Sequence, residues 1–168
     1  GAVGKPNYQA YAGSYTGGAN GVYWLSIDQM LGKKHALVSN YTKGAKRKVK
    51  QYTGYKIETD LLFPLLRGRD VQRWNASPSL HLLMVQDPQK RMGYEENWLR
   101  DKSPLTYTWL AQFRKELAER KSSMIPKEPF YSMYAISDDT FAPYKVVWSE
   151  IAYTLKAAVI GSVDDQHL

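Results

Sequence analysis

The sequence contains no cysteine, which removes disulfides, thiolate zinc sites and cysteine nucleophiles together and leaves the redox compartment unmarked. Histidine is nearly as scarce. His35, His81 and His167 stand far apart, without the HExxH spacing that sets two imidazoles on one helix face for zinc. No GxSxG elbow exists to present a serine nucleophile. Long apolar runs are missing too: the longest, around Leu61 to Leu66 and Ala157 to Ile160, fall far short of the ~18 to 20 residues of a membrane span. No membrane partner is expected, and an intracellular location is compatible with all of this. The chain starts at Gly1 with no basic segment, apolar stretch and cleavage site behind it, and reads as a piece of a longer polypeptide.

What is present is positive charge. The 168 residues suffice for one domain, and 23 Lys+Arg against 16 Asp+Glu leave +7 with a pI near 9.4. Such a surplus calls for an anionic partner, nucleic acid before any other.

Along the chain, residues 1–20 have the Gly, Ala, Ser and Tyr composition of a flexible lead-in. The glycines at 17, 18 and 21 precede an apolar run instead of following a strand and opening a helix, so they do not read as a phosphate loop. Strands are expected from Val22 to Ile27, over His35 to Thr42 and from Val49 to Ile57, as an antiparallel meander. Thr59 and Asp60 can cap a short apolar turn or helix over Leu61 to Leu66 that Gly68 ends. Leu80 to Val85 reads as a buried strand ended by Asp87 and Pro88, and Tyr94 to Arg100 as a short helix.

Ser103 and Pro104 then supply a cap and a first-turn proline for a longer helix. In it Leu105, Trp109, Phe113 and Leu117 recur every four residues as a core stripe, and Arg114, Lys115, Glu116, Glu119, Arg120 and Lys121 form a solvated face. Three further strands are expected over Phe130 to Ile136, Tyr144 to Trp148 and Ala157 to Val163. The fold class is α+β, a mixed, largely antiparallel sheet with a few covering helices, and residues 21–168 form a single domain.

Chemistry of its own is thinly represented. Glu119, Arg120 and Lys121 match half of a metal-dependent nuclease motif, with Asp87 as a distant partner, yet they close an amphipathic helix where such residues are ordinary surface. Two cationic stretches stand out instead. From Lys33 to Lys56 there are eight basic residues (Lys33, Lys34, Lys43, Lys46, Arg47, Lys48, Lys50, Lys56), no acid, and interleaved Tyr41, Tyr52 and Tyr55. A segment so uniformly charged repels itself unless a polyanion is sometimes near.

The second stretch, LLFPLLRGRDVQRW from Leu61 to Trp74, runs from an apolar root into Arg67, Arg69 and Arg73. A buried root would hold the guanidinium groups at set positions, suited to guanine edges or phosphates, with Asp70 orienting an arginine or accepting from cytosine. An Arg–Asp pair that merely closes the turn is an equal alternative.

GGANGVYWL from Gly17, ETDLLFPLLRGRDVQRW from Glu58 and PFYSMYAISDDTFAPYKVVW from Pro129 together resemble the C-terminal target-recognition region of adenine-specific DNA methyltransferases, especially those fused to a nuclease in type IIG restriction-modification enzymes. The resemblance spans about Gly17 to Val163. It implies a double-stranded-DNA recognition module from the bacterial or archaeal cytoplasm. The catalyst would be an upstream methyltransferase domain of the same polypeptide, which binds S-adenosylmethionine and flips adenine into an NPPY-type pocket, with Mg added where a nuclease is fused.

Neither NPPY nor a strand-linked methyl-donor glycine loop occurs here, so no catalytic activity and no cofactor are expected of these residues. The positions that match are Arg67, Gly68, Arg69 and Asp70, then Phe141, Ala142, Pro143, Tyr144 and Lys145. Candidate DNA-binding residues are therefore Lys43, Lys46, Arg47, Lys48, Lys50, Tyr52, Arg67, Arg69, Asp70, Arg73 and Lys145. A module for RNA or for a protein partner, its tyrosines stacking on unpaired bases, is the alternative.

Overall fold

The computed structural model describes residues 10–151 and 153–161; the expected lead-in over residues 1–9 and the last two residues of the expected final strand, 162 and 163, lie outside them. The described chain opens with a bridge between Tyr15 and Tyr134 and a single helical turn, α1 (Asn20–Tyr23). A strand from Val22 was expected there. Val22 and Tyr23 are both fully buried, and a turn wrapped by core on all sides hides both, where a half-buried strand would expose one.

The strands β1 (Trp24–Leu31), β2 (His35–Asn40), β3 (Tyr55–Glu58) and β4 (Leu62–Leu65) follow, then the small hairpin of β5 (Val71–Gln72) and β6 (Asn75–Ala76), and β7 (Leu80–Leu83). The main sheet has the order β3-β2-β1-β7-β4, with each neighbouring pair antiparallel. The α+β class is as expected. Within Leu61 to Leu66, however, Leu62–Leu65 form an edge strand and not a capped helix. Pro64 explains the choice, because a residue without an N–H costs least on an unpaired edge.

Register decides the layers. Leu25 pairs with Asn40 and His81, Ile27 with Val38, and Val38 with Tyr55, so these share one face. That face meets the helices: Trp109 packs edge-on against Tyr55 and Tyr52, 5.0 and 5.5 Å between ring centroids. The other face carries Trp24, Leu82, Phe63 and Leu65, and Phe141 closes over Phe63 at 5.4 Å.

After the short hairpin of β8 (Gln86–Asp87) and β9 (Met92–Gly93) come α2 (Glu96–Lys102), α3 (Pro104–Ala111) and α4 (Arg114–Ala118). The single long helix expected here breaks at Phe113, whose N–H bonds Leu110 O three residues back, and the break turns Phe113 and Leu117 into the same core as Trp109. Ser103 does not cap α3. Glu58, from β3, reaches across instead: its carboxylate accepts from Leu105 N, Thr106 N and Thr106 Oγ1 at 2.8 to 2.9 Å.

Phe130 to Ile136 is not a strand. Its ladder is replaced by the Gln86 amide, which donates to Met133 O and accepts from Met133 N, both at 2.8 Å. Finally β10 (Tyr144–Trp148) pairs with β11 (Ala157–Gly161). No helix among the described residues is long and apolar enough to cross a membrane.

The Glu58 cap is testable through pH. Burial works to raise its carboxyl pKa, but the bonds from Leu105 and Thr106 outweigh burial and hold it below the ordinary glutamate value. A depressed folded-state pKa gives stability that is present above the ordinary glutamate range and drains away as pH falls through the lowered value. Glu58→Gln is expected to cost about 1–2 kcal/mol at neutral pH, since it removes the anion from a helix N-terminus. It also flattens the acid limb of the stability curve, as followed by urea unfolding between neutral pH and about pH 3.

Candidate nucleic-acid interface

The loop joining β2 to β3, residues 41–54, has an inner and an outer side. Over Lys46 to Lys50 exposure alternates, with Lys46, Lys48 and Lys50 turned out and Arg47 and Val49 turned in. Extended backbone puts every second side chain on one side, about 6–7 Å apart. The inward residues hold the rail down. Arg47 N donates to Gly18 O at 3.2 Å, its Nη2 to Glu119 O, and Val49 lies so close to Gly21 that a Cβ there would stand 2.6 Å from Val49 Cγ2. Asn40, buried at the end of β2, is the central pin: its amide donates to Gly21 O and Lys50 O at 2.9 Å and accepts from Tyr52 N at 2.7 Å. The loop therefore has a fixed backbone without strand pairing, although a strand was expected from Val49.

The β4–β7 connection, residues 66–79, contains the RGRD turn. Gly68–Asp70 form a 3-10 turn, and Arg67 grips Asp70 with both ends of its fork, Nε to Oδ2 at 2.8 Å and Nη2 to Oδ1 at 3.0 Å. Arg67 N and Ser79 Oγ complete the carboxylate's bonds. The Arg67 hydrogen bond, against the pull of partial burial, holds the Asp70 carboxyl below its ordinary pKa. Of the two readings of this turn, the geometry takes the closing ion pair. Arg69 and Arg73 are left exposed with no carboxylate partner among the described residues. The Arg67 guanidinium also lies 5.2 Å from the Tyr41 ring centroid, and so ties this loop to the root of the lysine rail across the sheet face away from the helices.

The two loops share the chain's whole net charge. Lys43, Lys46, Arg47, Lys48, Lys50, Arg67, Arg69 and Arg73 are their eight cations and Asp70 is their one acid, so their net +7 equals the formal net charge of all 168 residues, and the rest of the chain balances. The ion pairs Lys90–Glu95, Arg100–Glu96 and Arg114–Glu96 lie elsewhere, on the β8–β9 hairpin and the helices.

No family model matches the chain, and no solved structure does. Over 110 residues, 66% of this chain, it is 27% identical to the type II methyltransferase M.NspV of Nostoc sp.. The chain is related to a restriction-modification methyltransferase. The matched span is 22% of the length of M.NspV. At the level of enzyme class this agrees with the resemblance carried by the three motifs.

Tyr52 and Tyr55 are packed edge-on against Trp109 and each other, and Lys50 Nζ lies 4.9 Å over the Tyr52 ring. Lys145 is turned to the inner side of β10, its ammonium bonded to Thr140 O and its pKa lowered by burial. Gly17 and Gly18 hold no cradle: a Cβ on Gly17 would meet Ile125 Cδ1 at 2.7 Å, and one on Gly18 the Lys46 Cβ at 3.3 Å.

Asp87 caps its own turn by accepting from Gln89 N and Lys90 N, and no group of three His, Asp or Glu side chains that could hold a metal occurs among the described residues. Asn40 was missed by sequence reading. A terminal asparagine in an alternating strand carries no signal of the loop it will pin.

Proposed function

We propose that this chain is the double-stranded-DNA target-recognition module of a restriction-modification adenine methyltransferase, with the S-adenosylmethionine chemistry in an upstream domain of the same polypeptide. The observation that carries the proposal is the confinement of the whole net charge to two braced loops. A solvated surface scatters its cations among acids; a polyanion site concentrates them without carboxylates. In this reading Lys43, Lys46, Lys48 and Lys50 neutralise phosphates from a fixed rail, the Arg67–Asp70 pair sets the turn, and Arg69 and Arg73 reach the duplex from it. The relationship to M.NspV supports the enzyme class. The packing of Tyr52 and Tyr55 into the aromatic core withdraws two of the three tyrosines on which a single-stranded RNA reading depends.

The expected result is duplex binding whose log K falls linearly with log salt, by about 0.9 per neutralised phosphate. Titration of this chain against labelled duplex DNA at several salt concentrations, with single-stranded RNA as competitor, checks it. Salt-insensitive binding, or displacement by RNA at lower concentration than by duplex, refutes the reading.

A further inference from the structure

The β5–β6 hairpin ends in a two-residue tip, Arg73 and Trp74, between the pairs Val71↔Ala76 and Gln72↔Asn75. Trp74 is 78% exposed and its φ is 68°, a left-handed backbone that glycine or asparagine takes readily and a bulky residue does not. The tip is held in place, since Trp74 N–H donates to Ala157 O at 2.8 Å and joins the hairpin to β11. Among the described residues the one partner of the indole is the Arg73 guanidinium, 5.8 Å from the ring centroid. Trp109, by contrast, is fully buried and bonds Val22 O through Nε1. A wetted indole on a strained backbone gives the fold nothing that glycine would not give better, and such outliers gather where another molecule uses them.

We infer that Trp74 is a stacking wedge, its indole lying on the face of a nucleobase while Arg73 meets the adjoining phosphate. The inference rests on the DNA reading above and deepens it by naming a residue that contacts bases. Its chemistry is specific to nucleic acid. The flat apolar face stands beside Arg73 and in the same loop as Arg69, neither of which has a carboxylate partner among the described residues; such a loop of net positive charge suits a base between phosphates, and stacking accepts any base because each has a π face. Apolar side chains that wedge between base steps, with basic side chains in the groove beside them, are a known way into a duplex.

The test compares the wild-type chain with Trp74→Ala, Trp74→Gly and Trp74→Phe, using as probe the pool of random-sequence duplexes that the wild-type chain retains on a filter. Trp74→Ala and Trp74→Gly are expected to weaken retention about 5- to 150-fold, the range for losing one stacked base, while Trp74→Phe stays within a few-fold. Trp74→Gly should unfold at the same or higher temperature than wild type, because glycine relieves the positive φ. A merely structural tryptophan would do the opposite. The indole fluorescence lost between wild type and Trp74→Phe should be quenched when the pool binds. Unchanged retention by both Trp74→Ala and Trp74→Gly, or equal loss in Trp74→Phe, overturns the wedge. Absence of duplex binding by the wild-type chain overturns the DNA reading itself, and the wedge with it.

Discussion

Replacing Lys43, Lys46, Lys48 and Lys50 together with glutamine is expected to lower duplex affinity at ~0.1 M salt by up to about three and a half orders of magnitude. If each lysine releases about 0.9 counterion, each is worth a factor of about eight at that salt relative to 1 M, and the salt slope should lose up to about 3.6 units. Fold stability should hardly move, because none of the four side chains is buried or ion-paired and exposed substitutions stay within about 0.5 kcal/mol.

The matched control is Lys33→Gln with Lys34→Gln, exposed cations of the β1–β2 turn outside both loops. Per charge removed, the control should lose far less affinity. Equal loss per charge in both sets would mean that net charge alone attracts DNA and that the rail has no particular role. Filter binding at four or more salt concentrations separates the two outcomes.

The second large effect belongs to Arg120. Its sequence context places it on a solvated helix face, yet its guanidinium donates to Leu117 O at 2.8 Å, Ser132 O at 2.8 Å, Phe130 O at 2.7 Å and Thr16 O at 3.2 Å. One planar fork thus ties the residues before α1 and the Phe130 to Ser132 segment to the end of α4. Next to it Tyr23 is buried, and that burial pushes its hydroxyl pKa up to about 12 against the opposing pull of Arg120.

Arg120→Ala is expected to cost about 3–5 kcal/mol, since charge-assisted bonds contribute ~1.5–3 kcal/mol each and do not add fully, and the carbonyls left behind lose their donor. Arg120→Lys should recover less than half, because an ammonium is a point donor that cannot span carbonyls arranged for a fork. Urea denaturation reads both. A loss below about 1 kcal/mol in Arg120→Ala would mean that water satisfies the carbonyls and the clamp is incidental. The damage should spread to the lysine rail, because Gly18 O, two residues from Thr16, receives Arg47 N.

Particular elements show where local reading works. β1, β2, α2 and β10 are alternating or periodic segments between turn residues, and their hydrophobic pattern is enough to find them. Trp109, Phe113 and Leu117 are core as their spacing requires, even though the helix beneath them breaks. Leu61 to Leu66 went astray because a short, nearly continuous apolar run has no period of its own, and its strand state depends on β7 alongside it and on the free edge that suits Pro64. Val49 to Tyr52 and Phe130 to Ile136 have strand-like composition. Their backbone bonds are taken by the amides of Asn40 and Gln86, partners that sit 10 or more residues away and leave no trace in the local pattern.

The amino-acid order alone determined the α+β class, the apolar stripe, the absence of thiol chemistry and the two stretches where the positive surplus lies, since composition and short-range periodicity are local properties. Only the folded arrangement decided how each arginine is used. Arg67 and Arg120 are spent on an internal carboxylate and on internal carbonyls, while Arg69 and Arg73 stay open to an outside partner. Whether a guanidinium finds an acceptor within the chain depends on groups that folding brings together from distant positions, and that is set by tertiary geometry.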